Sequence, residues 1–368
     1  AAAGTGNPAT GANPTATISG TDAVFAIGQI YNASGSKYAE YNFGQKAFAY
    51  TPPTGFVALA TQEFPTPTIA DGSEYFNTVL YTGNGTAIGS GGNAITGVGF
   101  SPEFVWIKSR DSTLNHRLQD VVRGATKELY SNETNAEVTN AETLASFDSD
   151  GFTVGNASGY NQASDNFVAW CWKAGGAASS NTDGSITSSV SANTTAGFSI
   201  VSYTGTGVAA TVGHGLGAVP EFILVKGRDD AFNWTVYHGA NTGSPETQSL
   251  AINLTNATAT NANAWNDTAP TSSVFTVGVG GTVNQTSSDL IAYCWAEVEG
   301  FSKFGSYTGN GSADGPFVYT GFRPAFVMTK RTNSTGDWRM HDTARVPYNP
   351  FTGYLRASTT EAELSGGD

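Results

Sequence analysis

The sequence contains few charged residues, few histidines and few sulfur-containing side chains. Charged residues make up 13% of the 368 positions, and there are four histidines, two cysteines and two methionines. Two cysteines are too few for a disulfide-stabilised scaffold in a chain of this length. Neither an HExxH nor a CxxC pattern occurs, so the sequence predicts no zinc site.

Charge and hydropathy exclude two further classes of protein. The net charge is −13 and no run of lysine or arginine occurs, so electrostatics disfavours nucleic acid as a partner. No apolar stretch approaches the roughly 20 residues that a membrane-spanning helix needs, so we expect no membrane insertion.

No constellation of residues in the sequence points to catalysis. The four histidines are His116, His214, His238 and His341. Their recurrence at similar positions in a repeated unit favours structural roles, because a catalytic histidine is expected once, with a fixed partner. The acidic residues considered as a glycosidase pair are Asp229, Asp230, Glu297 and Glu299, but sequence cannot place two of them across a cleft. We therefore expect no enzyme activity, no cofactor and no bound metal.

The sequence is rich in glycine, small polar residues and aromatic rings. There are 45 glycines, and aromatic residues reach 12%. Short apolar runs bounded by proline and glycine are typical of β-strands, for example FVWIK (104–108), FILVK (222–226), FVAWCW (167–172) and LIAYCW (290–295). These runs predict an all-β fold made of tandem β-sandwich (jelly-roll-like) domains.

The strongest internal signal is a repeat with a period of roughly 100 residues. The motif YTGNG occurs at 81–85 and 307–311, and YTGTG occurs at 203–207. Further along, HRLQD (116–120), WTVYH (234–238) and WRMHD (338–342) take the same place in the three copies. The recurring positions include Tyr81, Tyr203 and Tyr307, and Pro102, Pro220 and Pro324.

These matches define three predicted domains and their connections. Repeat 1 covers 76–174, repeat 2 covers 197–299, and repeat 3 covers 300–368 and stops before the equivalents of the last two strands. Residues 63–75 and the Gly/Ser/Thr-rich segment 175–196 are interpreted as linkers. Each repeat is long enough to bury a core of its own, so we expect separate sandwiches, the third of them truncated.

Two sets of side chains receive specific predictions. Cys171 and Cys294 hold the same position in repeats 1 and 2, so they are expected to be far apart, free and buried. The lysines Lys108, Lys226 and Lys330 end equivalent apolar runs and are expected to be solvated at a sheet edge.

Three tryptophans are candidate ligand-binding residues. Trp234, Trp265 and Trp338 lie near turns or strand ends beside Asn, Asp and Thr. An exposed ring in such a place can pack on the apolar face of a sugar, while the polar neighbours hold hydroxyl groups. The alternative is that these rings fill the cores of the sandwiches.

The N-terminal segment carries a recognisable set of motifs. NFGQ (42–45), FAY (48–50) and TPPTGF (51–56) resemble the last strand and exit turn of SPRY-type β-sandwich domains in bacteriophage virion proteins. Residues 1–62 are therefore interpreted as the C-terminal part of a SPRY-like sandwich. Because its early strands are missing, we expect the chain to be a fragment of a longer one. The YTG, P-x-F and A-x-C-W positions of the repeats are similar to a module that follows such segments in tail-fibre-like proteins, especially of marine phages.

The resemblance implies a non-enzymatic structural or adhesion protein of a phage particle, part of a tail fibre or similar appendage. Its location would be the virion surface, or otherwise extracellular. Its partners would be other virion proteins, further copies of itself (a trimer is one option) and a host cell-surface glycan. Two alternatives stay open: a polysaccharide depolymerase, and a cellular surface-layer or extracellular filament protein.

Overall fold

The computed structural model describes residues 67–312, 315–348 and 352–365. The predicted SPRY-like segment and the first part of the predicted 63–75 linker lie outside these ranges. In the described residues strands dominate and every helix is four residues long or shorter, which confirms the all-β fold class. None of the helices in these ranges has the length and apolar character needed to cross a bilayer.

Repeat 1 is built from two antiparallel sheets. Its elements are β1 (Phe76–Thr82), β2 (Asn93–Thr96), β3 (Phe104–Ser109), β4 (Arg117–Asp120), β5 (Lys127–Glu128), β6 (Val138–Thr139), β7 (Leu144–Asp148), β8 (Gly151–Val154), the helix α1 (Ser158–Asn161) and β9 (Asn166–Trp172). The larger sheet has the strand order β1-β9-β3-β4, the smaller one has β2-β8-β7, and β5 pairs with β6.

Repeat 2 follows the same plan with two additional strands. Its elements are β10 (Ser179–Asn181), β11 (Ser188–Asn193), β12 (Phe198–Thr204), β13 (Ala210–Gly213), β14 (Pro220–Gly227), β15 (Thr235–His238), β16 (Gln248–Ser249), β17 (Ala259–Thr260), α2 (Ala262–Trp265), β18 (Val274–Val277), α3 (Gly281–Asn284) and β19 (Asp289–Ala296). The large sheet has the order β10-β11-β12-β19-β14-β15. The central strand β19 therefore takes the place that β9 takes in repeat 1.

Repeat 3 forms a single described sheet. Its strands are β20 (Phe326–Thr329), β21 (Arg339–Asp342), β22 (Gly353–Arg356) and β23 (Leu364–Ser365), in that order across the sheet. By sequence, β20 and β21 correspond to β3 and β4. Among the described residues of repeat 3, no strand corresponds to β1 or β9.

The central strands of repeats 1 and 2 are apolar on both faces. In β9, Phe167 and Cys171 pack with the small sheet in a core that belongs to repeat 1 alone. Val168 and Trp170 point to the opposite face, into a cluster shared with the other repeats. Successive side chains on a strand point to opposite faces, so one strand serves two cores.

The shared cluster corrects the prediction of separate sandwich cores. Phe104 of repeat 1 packs on Tyr293 of repeat 2 with ring centroids 4.4 Å apart, and Trp170 packs on Phe326 of repeat 3 at 5.8 Å. Repeats 1 and 2 each keep a private core, but their remaining apolar faces meet each other and repeat 3. The physical reason is that a sheet with two apolar faces cannot leave one of them in water.

The segment 175–196, which the sequence predicts to be a linker, is instead part of repeat 2. β10 and β11 lie inside this segment and extend the large sheet of repeat 2, because β11 pairs along the length of β12. Ile186 and Val190 of the segment are buried in the private core of repeat 2. Its small polar composition therefore reflects partly exposed strands at the margin of the sheet, and not a flexible connection.

The YTG-x-G motif is a docking turn for the short helix before the last strand. The Tyr81 hydroxyl donates to the carbonyl of Tyr160 in α1 (2.8 Å), and the Tyr203 hydroxyl donates to that of Val283 in α3 (2.6 Å). A Cβ atom at Gly83 would overlap the carbonyl oxygen of Gln162. The glycine is therefore required by this close approach.

The shared core predicts that the three repeats unfold together. Because all seven tryptophans of the chain lie between Trp106 and Trp338, their fluorescence reports on the repeats. We expect a single transition in denaturant, and Phe104→Ala should move the whole transition by about 3–5 kcal/mol. Two or three separate transitions, of which Phe104→Ala shifts only the first, would contradict the shared core.

Candidate functional site

Two equivalent tryptophan N–H groups reach from one repeat to the next. The residue immediately before β4, β15 and β21 is His116, Trp234 and Trp338, respectively. Trp234 Nε1 donates to the carbonyl of Tyr130 in repeat 1 (2.8 Å), and Trp338 Nε1 donates to that of Ala251 in repeat 2 (2.9 Å). Repeat 2 therefore binds repeat 1 through Trp234, and repeat 3 binds repeat 2 through Trp338.

His116 takes the same place on the third side of this arrangement. Its Nδ1 accepts a hydrogen bond from Trp106 Nε1 (2.9 Å), so the ring proton sits on Nε2. Nε2 is buried and makes no hydrogen bond to a described residue, and repeat 1 binds repeat 3 through the Ser131 hydroxyl, which donates to the carbonyl of Ala357 (2.7 Å). Tyr130, Ala251 and Arg356 are equivalent positions, each directly after a buried leucine. Contacts therefore join all three pairs of repeats and form a closed ring, in which repeat 1 binds repeat 3.

A second set of contacts follows the same direction around the ring. The Tyr293 hydroxyl of repeat 2 donates to Asp120 Oδ2 of repeat 1 (2.7 Å). Trp170 Nε1 of repeat 1 donates to Asp342 Oδ2 of repeat 3 (3.1 Å). Tyr293 and Trp170 occupy the same place in β19 and β9, and the two aspartates occupy the same place in β4 and β21.

Between repeats 1 and 2 these contacts surround a buried cluster of charges. Arg123 pairs with Asp120 (2.5 Å), and Glu137 lies between Arg123 (3.2 Å) and Arg228 of repeat 2 (3.0 Å). Burial alone would lower the pKa of Arg123, but the charges of Asp120 and Glu137 raise it. Burial would raise the pKa of Glu137, but hydrogen bonds from Arg228 and the charge of Arg123 lower it. Arg123 and Glu137 therefore stay charged, and each holds its neighbour in place.

The same cluster recurs between repeats 3 and 1. Arg345 pairs with Asp342 (2.5 Å), and Glu363 lies between Arg345 (3.0 Å) and Arg110 of repeat 1 (2.5 Å). Beside it lies an open depression of about 300 Å³, lined mainly by Arg110, Asp111, Arg345 and Glu363. This depression is the surface opening of a junction whose charges are already paired.

The junction between repeats 2 and 3 is the neutral version of this cluster. Asn241 stands in the place of Arg123 and Thr258 in the place of Glu137, and the Thr258 hydroxyl donates to Asn241 Oδ1 (2.7 Å). The backbone contact is retained, since Thr258 N donates to Thr332 O (2.8 Å) just as Glu137 N donates to Arg228 O (2.7 Å). The ring therefore keeps its geometry with or without charge.

Lys108 and Lys226 are buried, contrary to the sequence prediction, whereas Lys330 is half-buried. Lys108 Nζ donates to the carbonyls of Ser109 (2.7 Å) and Ser112 (3.0 Å), and Lys226 Nζ donates to those of Gly227 and Asp230, both at 2.8 Å. Burial lowers the pKa of both lysines to about 8. These side chains close the turn after β3 and β14 and do not solvate an edge.

The predicted ligand-binding tryptophans are interior residues. Trp234 and Trp338 hold the ring contacts described above, with 0% and 3% of their surface exposed, and Trp265 lies in α2 at 1% with its Nε1 bonded to Gln248 O (3.0 Å). A ring without an accessible face cannot pack on a sugar, so this prediction needs correction. Sequence could not distinguish the two outcomes, because indole near a turn suits either one.

The remaining predicted positions lie in the private cores or at the beginning of strands. Cys171 and Cys294 are free and fully buried in the private cores of repeats 1 and 2, and burial raises the pKa of both thiols. Pro102 and Pro324 precede β3 and β20, and Pro220 opens β14. In the described ranges, no group of three or more His, Cys, Asp or Glu residues is arranged to hold a metal ion.

The sequence prediction missed the charged junction residues. The one signal for them is the D-x-x-R spacing of Asp120 and Arg123, which recurs in Asp342 and Arg345 and is replaced by His238 and Asn241 in repeat 2. An i, i+3 pair of opposite charges after an apolar strand is common. The pattern therefore indicates a junction only when the structure shows that the copies face one another.

Fold and junctions together define an all-β protein assembled from three copies of one sheet unit that close into a ring. The chain belongs to the family described as "Domain of unknown function (DUF7483)", whose model matches residues 71–368 and so runs through all three repeats. No curated protein and no solved structure matches the chain.

The buried charge cluster predicts a graded response to loss of a carboxylate. Glu137→Gln should lower the free energy of unfolding by about 3 kcal/mol, because it leaves two arginines without their shared counter-ion. Glu361→Gln is the matched control, since the exposed pair with Arg356 contributes less than about 1 kcal/mol. Denaturant titrations measure both values, and a Glu137→Gln protein within error of wild type would contradict a structural role for the cluster.

Glu103 predicts a pH dependence of stability. Burial raises its pKa to about 7, although Ala174 N donates to its carboxylate (2.7 Å). The folded state then binds this proton more tightly than the unfolded state, so the contribution of Glu103 to stability falls as pH rises from about 4.5 to about 7. Glu103→Gln lacks this titration and keeps an acceptor, so its stability relative to wild type should rise by about 2 kcal/mol over that range. Parallel unfolding curves for the two proteins at every pH would contradict this assignment.

Proposed function

We propose that this chain is a non-enzymatic structural and adhesion protein of a bacteriophage particle, part of a tail fibre or a similar appendage that contacts a host-surface glycan. The N-terminal motifs and the repeat design support the phage setting. The observation that carries the proposal is the closed ring of junctions, because the chain's main clusters of buried charge are used to fix one repeat against another. Three repeats that are fixed against one another in this way can transmit position and force, which an appendage requires.

Three of the four carboxylates considered for glycoside hydrolysis have structural partners. Asp229 accepts a hydrogen bond from Asp289 N (2.7 Å), and Asp230 accepts one from the Ser288 hydroxyl, so both fix the loop before β19. Glu297 pairs with Lys303 (2.6 Å) at the surface. These contacts favour a structural protein over a depolymerase.

Because the three candidate tryptophans are interior, we expect exposed loops to contact the glycan. Exposed loops on a rigid β-scaffold are the usual position for recognition residues. We expect the affinity of one copy to be low, and several copies on one particle to raise the apparent affinity through multivalency.

Immunogold electron microscopy of phage particles and of cells from the same source tests this proposal. Antibodies against the purified chain should label an appendage of the particle, and the folded protein should bind host cells or an array of bacterial surface glycans. Label on cell envelopes and not on particles would instead favour a surface-layer or filament protein. Release of reducing sugar ends from host polysaccharide by the purified chain would favour a depolymerase.

A further inference from the structure

One of three equivalent positions at the junctions carries a side chain that can ionise near neutral pH. The position immediately before β15 and β21 is tryptophan, Trp234 and Trp338, whereas the position before β4 is His116. An indole does not titrate in this range, but an imidazole in water gains a proton close to pH 6.5. Of these three positions, the one in repeat 1 is therefore able to change its charge.

A neighbouring position on the preceding strand differs between the repeats in the same way. Trp106 on β3 is equivalent to Leu224 on β14 and to Met328 on β20. Repeats 2 and 3 thus combine an apolar side chain without a ring and a tryptophan, whereas repeat 1 combines a tryptophan and a histidine. Because Trp106 Nε1 donates to His116 Nδ1 (2.9 Å), the imidazole is held by a partner that the other two repeats lack.

His116 lies at the junction between repeats 1 and 3 and is closed off from water. The side chain is fully buried, and its Nε2 makes no hydrogen bond to a described residue. The ring of Trp170 in β9 is parallel to the imidazole, with centroids 6.4 Å apart. The guanidinium of Arg345 in repeat 3 lies 5.6 Å from the centroid of the same Trp170 ring. The imidazole is therefore one ring away from repeat 3.

The charged groups around His116 disfavour a proton on its ring. Lys108 of β3 and Arg345 of repeat 3 act on the imidazole, and both are cations. The carboxylate of Asp342 accepts from Trp170 Nε1 (3.1 Å) and pairs with Arg345, so its charge is already engaged. A charged imidazole at this place would therefore add a cation to cations in a buried environment.

The direction of the pH effect follows from these surroundings. Burial lowers the pKa of His116 well below its ordinary value, the charges of Lys108 and Arg345 lower it further, and the backbone of Arg356 acts in the opposite direction. In an open state that admits water, the pKa returns towards about 6.5. The open state then binds more protons than the closed state, so the closed state loses stability as pH falls below about 6.5.

The junction that contains His116 joins two repeats that are not consecutive in the chain. Repeat 1 leads into repeat 2, and repeat 2 leads into repeat 3. Repeats 1 and 3 meet through non-covalent contacts, among them the Ser131 hydroxyl with the Ala357 carbonyl (2.7 Å) and Arg110 with Glu363. Opening at this junction therefore leaves the connections between consecutive repeats unchanged.

We propose that the junction between repeats 1 and 3 is a pH-sensitive contact that opens when His116 gains a proton. The proton makes His116 a further cation beside Lys108 and Arg345, and it removes the lone pair on Nδ1 that accepts from Trp106 Nε1. Both effects are relieved when repeats 1 and 3 separate and water reaches the ring. The other two junctions carry tryptophan at this position and stay closed.

Three backbone hydrogen bonds provide one reporter for each junction. The amide of Glu363 donates to Arg110 O across the junction of repeats 3 and 1 (2.7 Å). The amide of Glu137 donates to repeat 2, and the amide of Thr258 donates to repeat 3, as described above. Hydrogen exchange of these three amides therefore measures the opening of each junction separately.

The test compares the full wild-type chain with the His116→Gln variant by hydrogen exchange at single-residue resolution, at pH 7.5 and at pH 5.5. Glutamine keeps an acceptor for Trp106 Nε1 but does not titrate. Both proteins are compared at the same pH, so intrinsic exchange rates and the titration of Glu103 cancel. The ratio of wild-type to variant exchange at the Glu363 amide should rise by about tenfold at the lower pH, because one proton is linked over one pH unit below 6.5. The amides of Glu137 and Thr258 should show no such rise.

Two further variants separate titration from a loss of packing. His238→Gln removes a half-buried histidine of repeat 2 whose pKa is also lowered by burial, and it should leave the response of the Glu363 amide as in wild type. Trp106→Leu combined with His116→Trp gives repeat 1 the combination that repeat 2 carries. This double variant should keep the junction closed at both pH values.

Three results would overturn the proposal. The first is an equal acceleration of exchange at the Glu363 amide in the wild-type and His116→Gln proteins, because another group would then sense the pH. The second is no acceleration in either protein. The third is an equal response of all three junction amides, because the ring would then unfold as a whole and no single junction would open.

Discussion

Both faces of the central strands are apolar, and the arrangement of the repeats depends on that constraint. A strand such as β9 sends alternate side chains into a private core and into a shared one, and neither set tolerates exposure to water. A sandwich of two sheets buries only one of these two apolar faces. The second face is buried only when three copies meet, and three sheets that meet in this way place equivalent residues in a cyclic order.

The polar contacts decide which cyclic order and which register the copies adopt. Apolar surfaces alone allow many relative positions, whereas a buried indole N–H or a buried arginine is costly wherever its partner is missing. Trp234, Trp338 and the Asp120–Arg123 pair therefore act as alignment contacts. Buried ion pairs contribute little net stability compared with apolar replacements, and the neutral junction of Asn241 and Thr258 retains the same geometry, which is consistent with a role in specificity.

Sequence reasoning identified the strands and the repeat, because both are local or nearly identical patterns. It also held the main clue to the shared core: FVWI, FILV and FVAWCW are continuous apolar runs, whereas strands with one solvated face alternate. Continuous apolar runs of this kind are typical of strands that are buried on both faces, and the second buried face is the one that meets the other repeats. The burial of Trp234 and Lys108 could not be predicted from the sequence. The Trp234 side chain binds a carbonyl of another repeat, and the Lys108 side chain binds carbonyls that a turn brings together.

Repeat 3 separates the two roles that are combined in repeats 1 and 2. Its shared face is complete, since Met340, Leu355 and Ala357 are almost fully buried against the other repeats. Its private face, with Val327 and Tyr307, is open. The described residues of repeat 3 are thus held in place through the shared core and the ring contacts. The contacts between repeats therefore fix the β20–β23 sheet against repeats 1 and 2, whereas in repeats 1 and 2 a private core adds to those contacts.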